Sequence, residues 1–488
     1  MKTNSLVVAA VAVAGSLALE AQTFHVDAWR GETVAALVED FAELGDTARI
    51  EGIDIRFGAL MPVKQAPSKR SLMREMVYDR VVWGKSAEGP RVIEVSVPAD
   101  AKPGNYTGGG ISVRVIDRVL PPPKEWKYFL DLWQHPWAVA RYHDVKPFSR
   151  SHYNKMRPVY ELLATAGQKT ITTTLLHEPW AHQCYDAYGS MIGHVKRADG
   201  TWEFDYSIFD EYVAFCRDCG LGPYICCYTM CPWGYRVSWK TEQGETKSCV
   251  AKPGTKAFED YWGVFLEAFA THLKSKGWFQ DTYISMDERS IADVRQIGEF
   301  VQKHAPGMRI SMAGNHLPSE YGVTVDNFCM ILGKGINADY LKEAADRRTK
   351  GMVTTYYVCC GPSYPNTFMR SAQGEAFWLG VYPEIVGLDG FLRWAWNSWP
   401  KDPTKDSTYG NWQAGDTFLC YPNGEPSLRF LDLRNGIIAA EKIRVLKAAG
   451  LCKDDYAKIV ALYKQDEAVE NKSNFFHVRK DTLRFVNK

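Results

Sequence analysis

The chain has 488 residues, with 58 Lys and Arg against 57 Asp and Glu and a net charge of +1. That balance offers no basic excess for nucleic acid or an anionic membrane. The length allows more than one domain and a core that needs neither disulfide nor metal staples.

At the N-terminus, Lys2, the uncharged run Leu6 to Leu19 and the small Ala21 read as a signal peptide over 1–21, leaving Gln22 first in the mature chain. The run is shorter than the roughly 20 residues that span a bilayer. No later stretch has the length and purity of a membrane helix, so the mature chain is expected to be exported, periplasmic or secreted, and free of a membrane span. Residues 22–120 read as a small β-sandwich-like domain. Arg91–Val97 and Ile111–Ile116 are strand patterns flanking the turn Pro98-Ala-Asp-Ala-Lys-Pro-Gly-Asn105, whereas Ala28–Glu51 has some helical character. Pro121–Pro123 marks a stiff linker.

From 124 to 415 the pattern alternates between strand and helix. Strands are predicted at Lys127–Trp133, Lys169–Leu176, Pro223–Tyr228, Thr282–Met286, Met308–Ala313, Asn327–Leu332, Val353–Cys359 and Phe391–Trp396. Helices are predicted from Ser151 to Gly167, around Phe209–Cys216 and over Lys256–Lys276. Nearly continuous apolar strands with intervening helices predict a parallel (β/α)8 TIM barrel. The connection after the fifth strand is poorly helical, which leaves the count of eight open by one. Residues 416–488 read as a helical extension packed on the barrel. In it, Leu428–Ala449 is a long amphipathic helix, and the charged tail from Asp454 reads as a helix followed by a short strand.

All 12 Cys lie at Cys184 or later. Cys216 and Cys219 form a CxxC inside a helical pattern, with no second pair to complete a metal set. The adjacent pairs Cys226–Cys227 and Cys359–Cys360 sit in apolar runs and read as core. Neither metal nor cofactor is expected.

The 16 Trp and 25 Tyr often stand beside Asn, His and Pro, and their flat faces suit a sugar ring as well as a large core. Active sites of such barrels form at the C-terminal strand ends. Those ends supply His177, Trp180, Tyr228, Trp233, Asn315, Tyr356, Trp394 and Asn397 as candidates for holding a sugar, with Trp394 or Trp396 as a floor beneath the ring. A structural role is equally open for each. At the fourth strand end stand Asp287 and Glu288. Alone, an Asp-Glu dipeptide reads more simply as a solvated helix N-terminus favoured by the dipole. Glycoside cleavage, however, needs an acid for the leaving oxygen and stabilisation of positive charge at the anomeric carbon. Neighbours on one strand end point in different directions. They fit poorly as opposed acid and nucleophile, and better if a 2-acetamido group of the substrate is the nucleophile.

The segment from Leu130 to about Arg444 resembles glycoside hydrolase family 123, the β-N-acetylgalactosaminidases. The likeness rests on Leu130-Asp-Leu-Trp-Gln134, Ala138-Val-Ala-Arg-Tyr142, Ala166-Gly-Gln-Lys169, Lys276-Gly-Trp-Phe279, Met286-Asp-Glu-Arg289, Ala313-Gly-Asn315, Thr354-Thr-Tyr-Tyr357, Tyr364-Pro-Asn-Thr-Phe368 and Leu392-Arg-Trp-Ala-Trp-Asn-Ser-Trp399. Ile93–Gly104 is similar to the end of that family's N-terminal sandwich, although the domain here is shorter than the family pattern. The resemblance implies a metal-independent retaining reaction through an oxazoline. Asp287 would orient the acetamido group, and Glu288 would serve as acid and then base. The substrate would be a terminal β-linked N-acetylgalactosamine of an oligosaccharide or glycolipid glycan. Two other readings remain at this point: a non-catalytic glycan-binding protein, and a barrel β-galactosidase with a protein nucleophile.

Overall fold

The computed structural model describes residues 23–38, 48–69, 71–85 and 89–488. The predicted signal peptide lies outside them. The alternating Val and Ile of the first hundred residues build two sheets. One joins Phe24–Arg30, Ile111–Val119 and Gly104–Gly108; the other orders Thr33–Val38, Arg91–Ser96, Asp54–Gln65 and Glu75–Trp83. Val26, Ala28, Val113 and Val115 meet Val38, Ile93 and Val95 in a core of their own. The helical character expected over Ala28–Glu51 is corrected where the stretch is described, up to Val38, since both segments there are strands; residues 39–47 lie outside the described residues. Ala and Leu in Thr33–Val38 give way to pairing with Arg91–Ser96 along the whole strand, because strand context outweighs local propensity. Gly31 makes the turn between them at φ 77°, where a Cβ would lie 2.8 Å from the Leu120 carbonyl oxygen.

Eight parallel strands form the barrel: Phe129–Leu132, Thr170–Thr174, Tyr224–Tyr228, Thr282–Met286, Arg309–Gly314, Asn327–Ile331, Val353–Tyr357 and Gly390–Arg393. From the second to the eighth they pair in sequence, and the eighth returns to the first. The fifth and sixth are joined through a 3-10 turn, Pro318–Tyr321, instead of an α-helix, which accounts for the weak helical signal there.

The seam between the first and second strands has little backbone ladder: a bridge between Leu130 and Gln168, with Lys169 N–H donating to the Leu130 carbonyl at 2.9 Å. Side chains replace the rest. Gln168 Oε1 accepts from Leu132 N–H at 3.0 Å and its amide donates to the Leu132 carbonyl at 3.2 Å. Thr172 N–H donates to Gln134 Oε1 at 2.8 Å, and Thr170 Oγ1 to Asp131 Oδ1 at 2.6 Å. Burial pushes the Asp131 carboxyl up to about 6, against the pull of that Thr170 hydroxyl.

The helix Leu428–Ala448 joins the two layers. It packs on the barrel helix Glu375–Val386 at a contact that tolerates no side chain: a Cβ on Gly436 would sit 2.3 Å from the Phe377 carbonyl oxygen. Its other side faces the sandwich. There Lys442 pairs with Glu32 at 2.5 Å and Arg434 with Glu94, all four side chains almost wholly buried. Asn435 Nδ2 donates to the Ala35 carbonyl at 2.7 Å. The tail corrects the sequence reading: Lys453–Val460, Gln465–Val469 and Phe475–Val486 are helices, and the described tail has no strand. Phe475, Val478, Thr482, Phe485 and Val486 recur at helical spacing and are buried together, with Asn474 capping.

One element went unpredicted. The connections after the second and third barrel strands fold into a four-stranded sheet of Gly193–Lys196, Trp202–Asp205, Arg236–Thr241 and Thr246–Val250. Among the described residues, no helix is long and apolar enough to cross a membrane.

Gln168→Ala is expected to lower unfolding free energy by about 2–4 kcal/mol, since it opens a cavity and orphans the buried Leu132 N–H. Urea titration checks this, and an unchanged midpoint would mean that the seam does not depend on that side chain.

Candidate active site

The fourth barrel strand, Thr282–Met286, is buried at every position. The chain leaves it through Asp287 and Glu288 and re-enters order at Ser290, whose hydroxyl accepts from Asp293 N–H at 3.1 Å and caps the helix Ile291–His304. The two acids thus sit in a short strand-to-helix connection, at the C-terminal mouth.

Each acid is held from a different side. Asp287 Oδ1 accepts from Glu288 N–H at 2.9 Å, and Trp233 Nε1 approaches Oδ2 at 3.4 Å. Burial pushes the Asp287 carboxyl above the usual range. The Glu288 N–H opposes that push, the Glu288 charge adds to it, and Arg289 and Trp233 oppose it further. Glu288 Oε1 accepts a short hydrogen bond from Tyr357 Oη, reaching across from the seventh strand. Arg289 lies over the Trp233 ring, 4.4 Å from its centroid, and steadies the indole.

The acids open into a cavity, about 630 Å³ with its open mouth included, that Trp133, Trp233, Trp394 and Trp412 line together with Gln183, Tyr357, Cys359 and Cys360. Trp133 is braced from behind by Trp180 and Tyr228, with ring centroids 5.3 and 4.6 Å away. Trp394 Nε1 donates to Asp416 Oδ1 at 3.0 Å, and the same oxygen takes Arg393 at 2.8 Å in a wholly buried pair. Trp412 Nε1 donates to the Gln183 carbonyl at 2.9 Å, tying one wall loop to another.

Of the residues predicted from sequence, Asp287, Glu288, Trp233 and Trp394 come together in the cavity. Trp180 and Tyr228 stand one layer behind, as braces. Four candidates are placed elsewhere. Tyr356 is fully buried on the outer face of its strand, its hydroxyl donating to the Leu379 carbonyl at 2.6 Å. Asn397 is also fully buried, clasping the backbone of His135 at 2.8 and 3.0 Å. His177 and Asn315 are exposed and line no part of the cavity. Trp396, offered as a floor, is buried against Phe430 instead. Tyr357, Trp133, Gln183 and Trp412 were missed. Strand parity was the available signal for Tyr357: adjacent strand residues face opposite sides, so choosing Tyr356 selected the wrong face. Cys359 and Cys360, expected as core, are half-buried and exposed on the cavity wall. Among the described residues, no group of three or more His, Cys, Asp or Glu is placed to hold a metal.

Residues 133–446, which contain every group in this cavity, match the family described as glycoside hydrolase 123, catalytic domain. The chain belongs to glycoside hydrolase family 123. Among solved structures, it is similar to a family 123 glycoside hydrolase from Clostridium perfringens, whose structure is described in terms of glycolipid glycan hydrolysis. Identity is 24%, coverage 95% of this chain and 94% of that one, and the TM-score 0.79. A family 39 β-xylosidase from Caulobacter crescentus follows at 10% identity, covering 67% of this chain and 73% of its own, with a TM-score of 0.38. No curated protein sequence matches. Within the matched residues, the cavity sets an acid pair among four tryptophans.

In this family 123 glycosidase, Tyr357→Phe removes the hydrogen bond that Tyr357 Oη donates to Glu288 Oε1. The expected result is a kcat about 10- to 100-fold lower with KM little changed, since a misplaced reacting group costs rate more than binding. Steady-state kinetics on an aryl glycoside measures it, and equal kcat would show that Glu288 is positioned without the tyrosine.

Proposed function

We propose that this enzyme is a retaining exo-β-N-acetylgalactosaminidase that uses the substrate's acetamido group as nucleophile. One observation carries the reading: among the described residues lining the cavity, the only two carboxyl groups are Asp287 and Glu288, neighbours on one strand end. A retaining enzyme with a protein nucleophile needs its carboxylates about 5 Å apart across the sugar. The rest of the described lining is tryptophan, cysteine, tyrosine, glutamine, alanine and leucine, and offers no such second group. A nucleophile carried by the sugar removes that need.

In the first step the acetamido oxygen bonds to the anomeric carbon as the bond to the leaving oxygen breaks. Glu288 gives its proton to that oxygen. Asp287, fixed by the Glu288 N–H and Trp233, accepts the acetamido N–H and stabilises the positive charge of the cyclised sugar. In the second step Glu288 takes a proton from water, which attacks the anomeric carbon from the face that the leaving group vacated. The ring opens, and β configuration is retained. Asp287 works ionised, so its upward shift implies that activity fades on the acid side sooner than an ordinary carboxylate would allow. The described subject of the Clostridium perfringens structure supports a glycolipid glycan as the substrate class. The leader-like residues 1–21 support an exported enzyme.

The test is a panel of aryl β-glycosides that differ only at C2 and C4. Turnover of the galacto-configured acetamido sugar, with little on plain galactoside, is the expected pattern. Preference for the plain galactoside would overturn the reading. Glu288→Gln should lose most activity on poor leaving groups and much less on good ones, whereas equal losses would remove it as the acid.

A further inference from the structure

Cys359 and Cys360 stand on the cavity wall, immediately past the strand that carries Tyr357. Their sulfurs lie 3.9 Å apart, and the Cys359 thiol is also 3.7 Å from the Gly361 carbonyl oxygen. Among the 12 described cysteines, all free, Cys360 alone is exposed. The local backbone is anchored. Cys359 N–H donates to the Gly361 carbonyl at 3.0 Å, and Asn366 Nδ2 donates to the Cys359 carbonyl at 3.0 Å and to the Pro362 carbonyl at 2.7 Å. Consecutive cysteines hold their Cα atoms about 3.8 Å apart, below the usual disulfide range, so closing the 3.9 Å gap toward roughly 2.05 Å turns both side chains and the peptide between them, on the cavity wall.

The two thiols are unlike in chemistry. The hydrogen bond from Cys359 pulls the Cys360 thiol below its ordinary range, and the Lys69 charge helps against burial. The same hydrogen bond and burial push Cys359 up. An exposed thiol drawn below its ordinary range beside one pushed above it has the division of labour of an attacking and a resolving cysteine.

We propose that Cys359 and Cys360 are a thiol–disulfide exchange site in the substrate cavity. Its co-substrate is a low-molecular-weight disulfide such as glutathione disulfide, and its oxidation state sets how readily the cavity accepts a sugar. The Cys360 thiolate attacks one sulfur of the disulfide; that S–S bond breaks and one thiolate leaves. The Cys359 thiol passes its proton to the departing thiolate and attacks Cys360 Sγ. The mixed disulfide breaks, a second thiolate leaves and takes up the proton lost earlier from Cys360, and the Cys359–Cys360 bond forms. Two cysteines lose two electrons, and one disulfide becomes two thiols. The closed ring changes a part of the cavity wall that neither acid occupies, so the effect belongs in sugar binding. That last step rests on the cavity being the glycosidase site.

The full-length enzyme is incubated with glutathione disulfide, then mapped by peptide mass and assayed on an aryl glycoside that it turns over. The peptide holding both cysteines is expected to become lighter by two hydrogens, and KM to rise several-fold with kcat largely kept. Dithiothreitol should reverse both. Cys359→Ser should stop at a glutathione adduct on Cys360, and Cys360→Ser should respond in neither mass nor KM, each variant being compared with its own reduced form. Two free thiols persisting after treatment, or an undiminished response in Cys360→Ser, would overturn the exchange site. An oxidised pair with unchanged KM would overturn its control of the cavity. The mass readout is independent of turnover, so failure of the glycosidase reading remains distinguishable.

Discussion

Closure of the barrel between its first and second strands is the constraint from which the rest of the structure follows. A parallel sheet whose edges did not meet would splay its strand ends, and the mouth would no longer be one cavity. Here the closing ladder is made largely by buried Gln134, Gln168, Thr170 and Thr172 side chains. Trp133 follows directly on the seam, and its N–H donates to the Arg393 carbonyl at 3.2 Å. The eighth-strand end that carries Trp394 is thus held beside Trp133, and both rings face the same hollow as the acids. A residue type that sequence patterning treats as polar filler is what brings these tryptophans to one mouth.

A second constraint acts on the chemistry. Two carboxyl groups on consecutive residues fit poorly on opposite faces of a sugar, and the proposed mechanism therefore takes its nucleophile from the substrate. The surroundings divide the pair instead. Asp287 is desolvated and held by an amide N–H and an indole, as suits a charge stabiliser. Glu288 is held by a phenol from the far wall, as suits a group that moves a proton. Distinct environments for neighbouring acids are how one site assigns them distinct roles.

Much of this was legible in the sequence. The eight barrel strands lie where apolar runs between Gly and polar turns placed them, because strands buried on both faces leave an unmistakable continuous pattern. The acid pair was legible as a strand end, and its family motif distinguished it from an ordinary helix N-terminus. The side-chain register was not. Tyr356 and Tyr357 are equivalent in composition, and only the pleat decides that the second reaches Glu288. Asn397 and Asn315 looked like sugar-binding tips, yet one is consumed by the His135 backbone and the other lies outside the cavity lining. Gln183 and Trp412 come from connections without periodicity, so nothing in their spacing points to the site. Cys359 and Cys360 sit in an apolar run that reads as core, but the strand ends at Tyr357, two residues too early to bury them.

The most direct measurement is turnover of aryl β-N-acetylgalactosaminides whose acetyl group carries progressively more fluorine. Fluorine withdraws electrons from the amide oxygen and leaves the leaving group and ring unchanged. If that oxygen forms the bond to the anomeric carbon, kcat falls steeply with each substitution. A kcat indifferent to fluorination would mean that the nucleophile belongs to the protein or to water, and Asp287 would have no cyclised sugar to stabilise.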